Sequence, residues 1–242
     1  MVSATEIWKS TAAKLEAAAE ANAAQLSAAA ELLLEVIRAD ALVFTAGAGH
    51  SLAAVAETFY RAGGLACVYP VYHPELLPLH GAQQSTKTER RGGLAEEVLA
   101  ERAPGPDDVL VVFSTSGVNP YPVELAAGAR RRGAAVIAVT SRACVAAAPR
   151  RAPSTLVDEA SVVLDSLVIP GDASHPADAP RTAPLSTVVN AFLWNRILAE
   201  VLDRGTAEGL DVPLWRSSNV EGGDEANAAL LAKYIPRVPA LR

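Results

Sequence analysis

VFTAGAGHS at 43–51 and VVFSTSGVNPYPVE at 111–124 decide how this 242-residue chain folds. Each starts as an apolar run of strand length, passes into a turn of small residues and opens a helix. Such a turn leaves backbone N–H groups without partners at a helix N-terminus, which makes it a site for an anion. In the first segment Gly47 and Gly49 let the main chain approach a ligand closely, and Ser51 adds a hydroxyl donor. In the second, Ser114, Thr115 and Ser116 precede Gly117, with Asn119 further along. Consecutive hydroxyl residues are poor helix formers and poor core residues, and N-capping accounts for only one of them. Two such turns in one α/β sheet point to a phosphorylated small molecule held at the carboxyl ends of parallel strands.

Working outward, strands are expected at 41–46, 66–72, 108–114, 134–141 and 161–169, with helices between them over 51–62 and after the second turn. This alternation predicts an α/β fold with a doubly wound, five-stranded parallel sheet. Residues 4–38 read as one long helix, capped by Ser3 or Thr5. Its apolar stripe includes Trp8, Ala12, Leu15, Ala19, Leu26, Ala30, Leu33 and Ile37, available for the domain's own sheet or for a dimer interface. A buried helix is expected over 185–203. A last helix follows Gly222-Gly223 with Asp224 as its N-cap. Segments 73–92 and 170–184 read as irregular loops, of the kind that serve as lids or binding loops. The expected organisation is an N-terminal helix over 1–38 and one α/β domain over 39–242.

The formal net charge of −6 argues against a nucleic-acid surface. The basic run ARRRG at 129–133 reads instead as a cationic helix C-terminus closed by Gly133. Two cysteines without a pairing pattern fit a reducing cytosol and neither a disulfide framework nor a zinc site. No signal segment opens the chain and no apolar run is long enough to span a bilayer, so a cytoplasmic protein with no membrane partner is expected. The four histidines show no HxH or HxxxH pair, and neither a metal nor a cofactor is expected.

GAGHS at 47–51 followed by STSGVNPYPVELA at 114–126 resembles the sugar isomerase (SIS) domain family. The signature of that family is a Gly-x-Ser turn and then Ser-x-Ser-Gly-x-Thr/Asn, and the resemblance runs from about residue 40 to 200. NPYPVE at 119–124 is similar to the Thr-Pro-Tyr-Val run of the N-acetylmuramic acid 6-phosphate etherase branch. The resemblance implies a Rossmann-like five-stranded sheet, a sugar 6-phosphate ligand and a homodimer or higher homo-oligomer. It places phosphate contacts on Ser51, Ser114, Thr115, Ser116 and Asn119, with Gly49 and Gly117 closing on the substrate.

Chemistry at the far end of a bound sugar phosphate needs a base, and a carboxylate or histidine is the usual one. In TKTERRGGLAEEV at 86–98, Glu89 stands at a loop-to-helix junction beside Arg90 and is the first candidate; Glu97 is the second. Glu96 and Glu57 read as solvated helix positions. His50 lies inside the first turn and is within reach of whatever binds there. His73 and His80 read as structural or exposed. His175 could close over the sugar from the second loop, and Asn219 could complete the pocket from the C-terminal segment. Removal of the C2 proton from an amino-sugar 6-phosphate, followed by elimination at C3, is the expected activity. An aldose–ketose phosphosugar isomerase and a non-catalytic phosphosugar sensor are the alternatives.

Overall fold

The computed structural model describes residues 4–242 of the chain. Five strands form one sheet: β1 (Val43–Gly47), β2 (Val68–Val71), β3 (Val109–Phe113), β4 (Ala135–Thr140) and β5 (Val162–Asp165). All neighbours pair in parallel, in the order β2-β1-β3-β4-β5, with Val43 opposite both Val68 and Val109. β1 and β3 are buried at every position, as central strands covered on both faces must be, and their sequences are correspondingly apolar without alternation. The chain leaves β1 toward one edge and β3 toward the other. The carboxyl ends of these two strands therefore diverge at the switch point where ligands of open α/β sheets bind.

The helices are α1 (Ile7–Ala21), α2 (Ala23–Arg38), α3 (Leu52–Thr58), α4 (Ala82–Glu89), α5 (Leu94–Glu101), α6 (Pro120–Arg131), α7 (Arg142–Ala147), α8 (Leu156–Glu159), α9 (Ser186–Ala207) and α10 (Gly223–Tyr234). α2 packs along α9, where Leu26, Ala30, Leu33 and Leu34 meet the stripe Val189, Leu193, Ile197 and Val201, all buried. Five of these eight side chains are Leu or Ile, so burial of their apolar area carries the packing of this helix pair.

The expected helix over 4–38 runs as two, because Asn22 interrupts it; the candidate cap Ser3 lies outside the described residues. Asn22 is buried, and its Nδ2 donates to the carbonyls of Ala18 (2.6 Å) and Asp165 (2.8 Å). Its Oδ1 accepts from Asp165 N–H at 2.7 Å. One side chain thus takes over the outer hydrogen bonds of an edge strand and ties the helical hairpin to the sheet. Segment 73–92 is not wholly irregular: α4 lies inside it. α4 shows no apolar stripe because polar contacts anchor it, Ser85 Oγ to the Leu76 carbonyl (2.8 Å) and Thr88 Oγ1 to Glu75 Oε2 (3.0 Å). Strand five ends at Asp165 rather than 169, since Leu167 adopts a left-handed φ of 54° and its N–H turns back to Asp165 Oδ1. Helix α3 stops at Thr58, whose buried hydroxyl lies 2.7 Å from the Val55 carbonyl. The position before α10 is Gly222, at φ 72°, and Asp224 falls in the first turn instead of capping it.

Substituting Asn22 by Ala leaves the Asp165 N–H and carbonyl without these partners. At about 1–3 kcal/mol for each buried group left unpaired, the expected loss is on the order of 2–4 kcal/mol, measured by urea unfolding. A loss within experimental error would show that Asn22 does not hold β5.

Candidate active site

Two turns meet at the switch point. At the end of β1, Gly47 is forced by sterics: a Cβ there would stand 2.9 Å from the Ser51 carbonyl oxygen. Gly49, at φ 59°, then opens a single 3₁₀ turn over Gly49–Ser51 that runs into α3. His50 is exposed on this turn and Ser51 is half-buried. Glu57, further along α3, is engaged in an ion pair with Arg61.

At the end of β3 the Ser-Thr-Ser-Gly turn is held from beneath. Ser114 is buried, its N–H donates to the Val139 carbonyl (3.0 Å), and its Oγ accepts from Gly117 N–H (3.2 Å). Gly117 takes φ 58°, and a Cβ on it would come within 2.8 Å of Val145 Cγ2 and 2.9 Å of Thr140 Oγ1. Ser114 therefore serves as the internal clasp of the turn, while Thr115 and Ser116 are half-exposed. The amides of Thr115 and Ser116 have no backbone acceptor among the described residues, and the Thr115 carbonyl is occupied by Ser141 N–H. Adjacent free amides beside two hydroxyls form a concavity suited to an anion.

Asn119 occupies the N-cap position of α6 without capping it, and Pro120 supplies a first helical residue that has no N–H to satisfy. The Asn119 amide is used elsewhere. Its Nδ2 donates to Glu89 Oε1 at 2.8 Å, and its Oδ1 accepts from Arg151 Nη1 at 3.2 Å. Glu89 is the last residue of α4, which packs against both the Gly49–Ser51 turn and α6. Burial pushes the Glu89 carboxyl above the usual carboxylate range, opposed by the Asn119 hydrogen bond and by the nearby Arg90 and Arg151 charges. A half-buried carboxyl raised in this way, next to a turn with free amides, has the character of a proton-transfer group.

The other expected residues are placed apart. Glu97 on α5 is exposed and pairs with Arg91 at 3.0 Å, lining with His73 and Glu75 a separate polar cleft of about 440 Å³. Glu96 is tied to Arg131 and Arg132. His73 Nδ1 accepts from Glu75 N–H, a local structural role. His175 sits in an antiparallel bridge with Thr182, and among the described residues no hydrogen bond or ion pair links its side chain to either turn. Asn219 is exposed on the C-terminal segment, which joins the β2 flank through the bridge between Leu65 and Leu214. The buried asparagine of that segment is Asn227, bonded to both the N–H and the carbonyl of Arg216. Arg151 is the residue that sequence reasoning missed. Its only signal is the Arg150-Arg151 pair between prolines, which looks like a solvated loop.

A family model described as the SIS domain matches residues 8–141. The UPF0309 protein of Geobacillus kaustophilus is 36% identical over 220 residues, covering 89% of this chain and 88% of its own. That of Brucella canis is 37% identical over 231 residues, 95% of each chain. Among solved structures, phosphoheptose isomerase GmhA from Neisseria gonorrhoeae aligns with a TM-score of 0.53 and 20% identity over 82% of this chain and 96% of that one. The sugar isomerase domain of the RpiR transcription factor from Sphaerobacter thermophilus gives 0.51 and 16% identity over 96% and 97%. One fold thus serves a protein named as an isomerase and another named as a transcription factor. No helix among the described residues is long and apolar enough to cross a membrane.

The raised carboxyl of Glu89 has a sign that stability measurements read. Because the native state holds this proton more tightly than the unfolded chain, Glu89 costs stability as pH rises from the ordinary glutamate value of about 4.3 through its own raised value. Glu89→Gln keeps an oxygen for Asn119 and carries no charge. Its melting temperature relative to wild type should therefore increase as pH rises above the ordinary glutamate value and level off once the wild-type carboxyl is ionised. A pH-independent difference would mean that the carboxyl is not raised.

Proposed function

The chain belongs to the SIS-domain family, and from that footing we propose that it acts on a sugar phosphate by taking the proton from C2. One observation carries the reading: the Asn119 side chain joins a raised carboxyl, Glu89, to the turn whose free amides and hydroxyls suit a phosphate. The phosphate is accepted by the amides and hydroxyls of Thr115 and Ser116, with Ser51 contributing from the facing turn. Ser114 and Gly117 keep the β3 turn in shape, and Gly49 keeps the β1 turn open to the ligand. The sugar then lies across the switch point toward Glu89, with His50 on the exposed rim.

In the open form of the sugar, Glu89 removes the C2 proton and leaves an enediolate or enolamine, whose oxyanion needs preorganised donors. With an amino-sugar 6-phosphate, the C2 electron pair expels the C3 substituent, forming C2=C3 while the departing oxygen takes up a proton. The NPYPVE run supports this outcome, since its Asn119 is the residue that touches the base. Isomerisation is the second reading, favoured by the separation of the two candidate carboxylates: Glu97 faces Arg91, leaving Glu89 at the turn. One carboxylate is enough to carry a proton from C2 to C1 while the O2 proton passes to O1.

The test is incubation with hexosamine and N-acetylhexosamine 6-phosphates in D₂O, followed by proton NMR and ultraviolet absorbance. Loss of the C2 proton signal with a new chromophore is expected for elimination, and exchange with a ketose product and no chromophore for isomerisation. Glu89→Gln should slow either by about 10²–10⁴-fold. Ser116→Ala should weaken binding by about 1–3 kcal/mol, as for a lost hydrogen bond to a charged group. Saturable binding with no exchange on any sugar would assign the site to sensing, and a fully active Glu89→Gln would remove Glu89 as the base.

A further inference from the structure

The Ser-Thr-Ser-Gly turn has a second flank. Away from Glu89, at the carboxyl ends of β3, β4 and β5, a cavity of about 340 Å³ opens directly on Thr115 and Ser116. Its remaining wall includes Cys144, Ala148, Gly171 and Asp172, and no Lys, Arg or His contributes to the lining. The Cys144 thiol is kept neutral by burial, and its Sγ lies 3.5 Å from the Val168 carbonyl. The Asp172 carboxylate is already committed. Its Oδ1 accepts from the N–H groups of Leu185 (3.0 Å) and Ser186 (2.8 Å), and its Oδ2 from Ser186 Oγ (2.6 Å), at the start of α9. The chamber is therefore largely apolar, with one satisfied negative charge at its edge.

Strands in a sheet stand about 4.8 Å apart, so a chamber across β3 to β5 extends roughly 10 Å from the turn on the side opposite to β1 and Glu89. A sugar reaching from the turn to Glu89 leaves this chamber unfilled. A phosphorus atom seated at Thr115 and Ser116 sends its ester oxygens in diverging directions, one toward each flank. We propose that the chamber receives a neutral, apolar group esterified to the same phosphate, so that the chain recognises sugar phosphodiesters with the sugar on the Glu89 flank and the second alcohol in the chamber. The lining excludes a further phosphate, because Asp172 would repel it and no cation there would offset the charge. The volume sits at the small end of ligand pockets, which suits a ring-sized group and not a polymer.

The inference rests on the phosphate reading of the turn, and calorimetric titration separates the two. The probes are inorganic phosphate, phenyl phosphate and glucosamine 6-phosphate, on wild type, Ser116→Ala, Ala148→Leu and Ala147→Phe; Ala147 lines the chamber at an exposed position that tolerates a larger side chain. Phenyl phosphate should bind wild type about tenfold or more tighter than inorganic phosphate, as burial of a ring's apolar area implies. Both chamber-filling variants should abolish that advantage while leaving inorganic phosphate and glucosamine 6-phosphate unchanged. Equal affinity for phenyl phosphate and inorganic phosphate would overturn the proposal. So would variants that weaken glucosamine 6-phosphate as much as phenyl phosphate, since the chamber would then hold the sugar itself. If inorganic phosphate binds Ser116→Ala as well as wild type, the phosphate reading of the turn fails and the proposal fails with it.

Discussion

A single amide, that of Asn119, stands between a carboxylate and a guanidinium, and the rest of the site is arranged around it. An asparagine has one donor end and one acceptor end, and here each is matched to an opposite partner: Nδ2 to Glu89 and Oδ1 to Arg151. Reversing the amide would set its carbonyl against a carboxylate and its NH₂ against a cation, so the charges fix its orientation. The arrangement leaves Glu89 with one hydrogen bond and two neighbouring positive charges, insufficient to outweigh its burial. A carboxyl raised in this way suits the proton transfer proposed for Glu89.

The fold supplies this geometry through topology before chemistry. The order β2-β1-β3-β4-β5 puts the two glycine-bearing turns on adjacent strands at the switch point. α4, returning from the β2 edge, can then lay its C-terminus across both turns. Gly117 is required twice over, by its left-handed φ and by contact with Val145 and Thr140. Hydrogen bonds from Ser114 N–H to the Val139 carbonyl and from Ser141 N–H to the Thr115 carbonyl fasten the turn to β4, which preorganises the amides of Thr115 and Ser116. At the far edge of the sheet, Asn22 pairs with the N–H and carbonyl of Asp165, the last residue of β5.

The sheet was legible in the sequence because β1, β3 and β4 are apolar runs punctuated by turn residues, and parallel central strands carry no competing periodicity. Both turns were legible for the related reason that hydroxyl residues have no place between a buried strand and a helix unless something uses them. Interactions between segments distant in sequence were not. α4 was hidden in what read as a loop because Ser85 and Thr88 anchor it with hydroxyls, leaving no apolar stripe. The break at Asn22 depends on the Asp165 backbone, 143 positions away, which no helical pattern reveals. Glu89 ranked ahead of Glu97 in the sequence only through its junction position beside Arg90. The packing of α4 against the first turn, and the pairing of Arg91 with Glu97, set them in different places. Arg151 was silent because a basic pair in a loop ordinarily means solvent.

The central claim is that Glu89 and the anion-binding turn form one site, and the protonation of Glu89 reports on it directly. A ¹³C-carboxyl NMR titration of the full chain, with the resonance assigned by its loss in Glu89→Gln, would be recorded alone and with saturating glucosamine 6-phosphate. The account predicts a midpoint above the ordinary glutamate value of about 4.3 in the free protein, and a further rise when a phosphate dianion is seated nearby. An ordinary midpoint that does not respond to the bound sugar phosphate would contradict it.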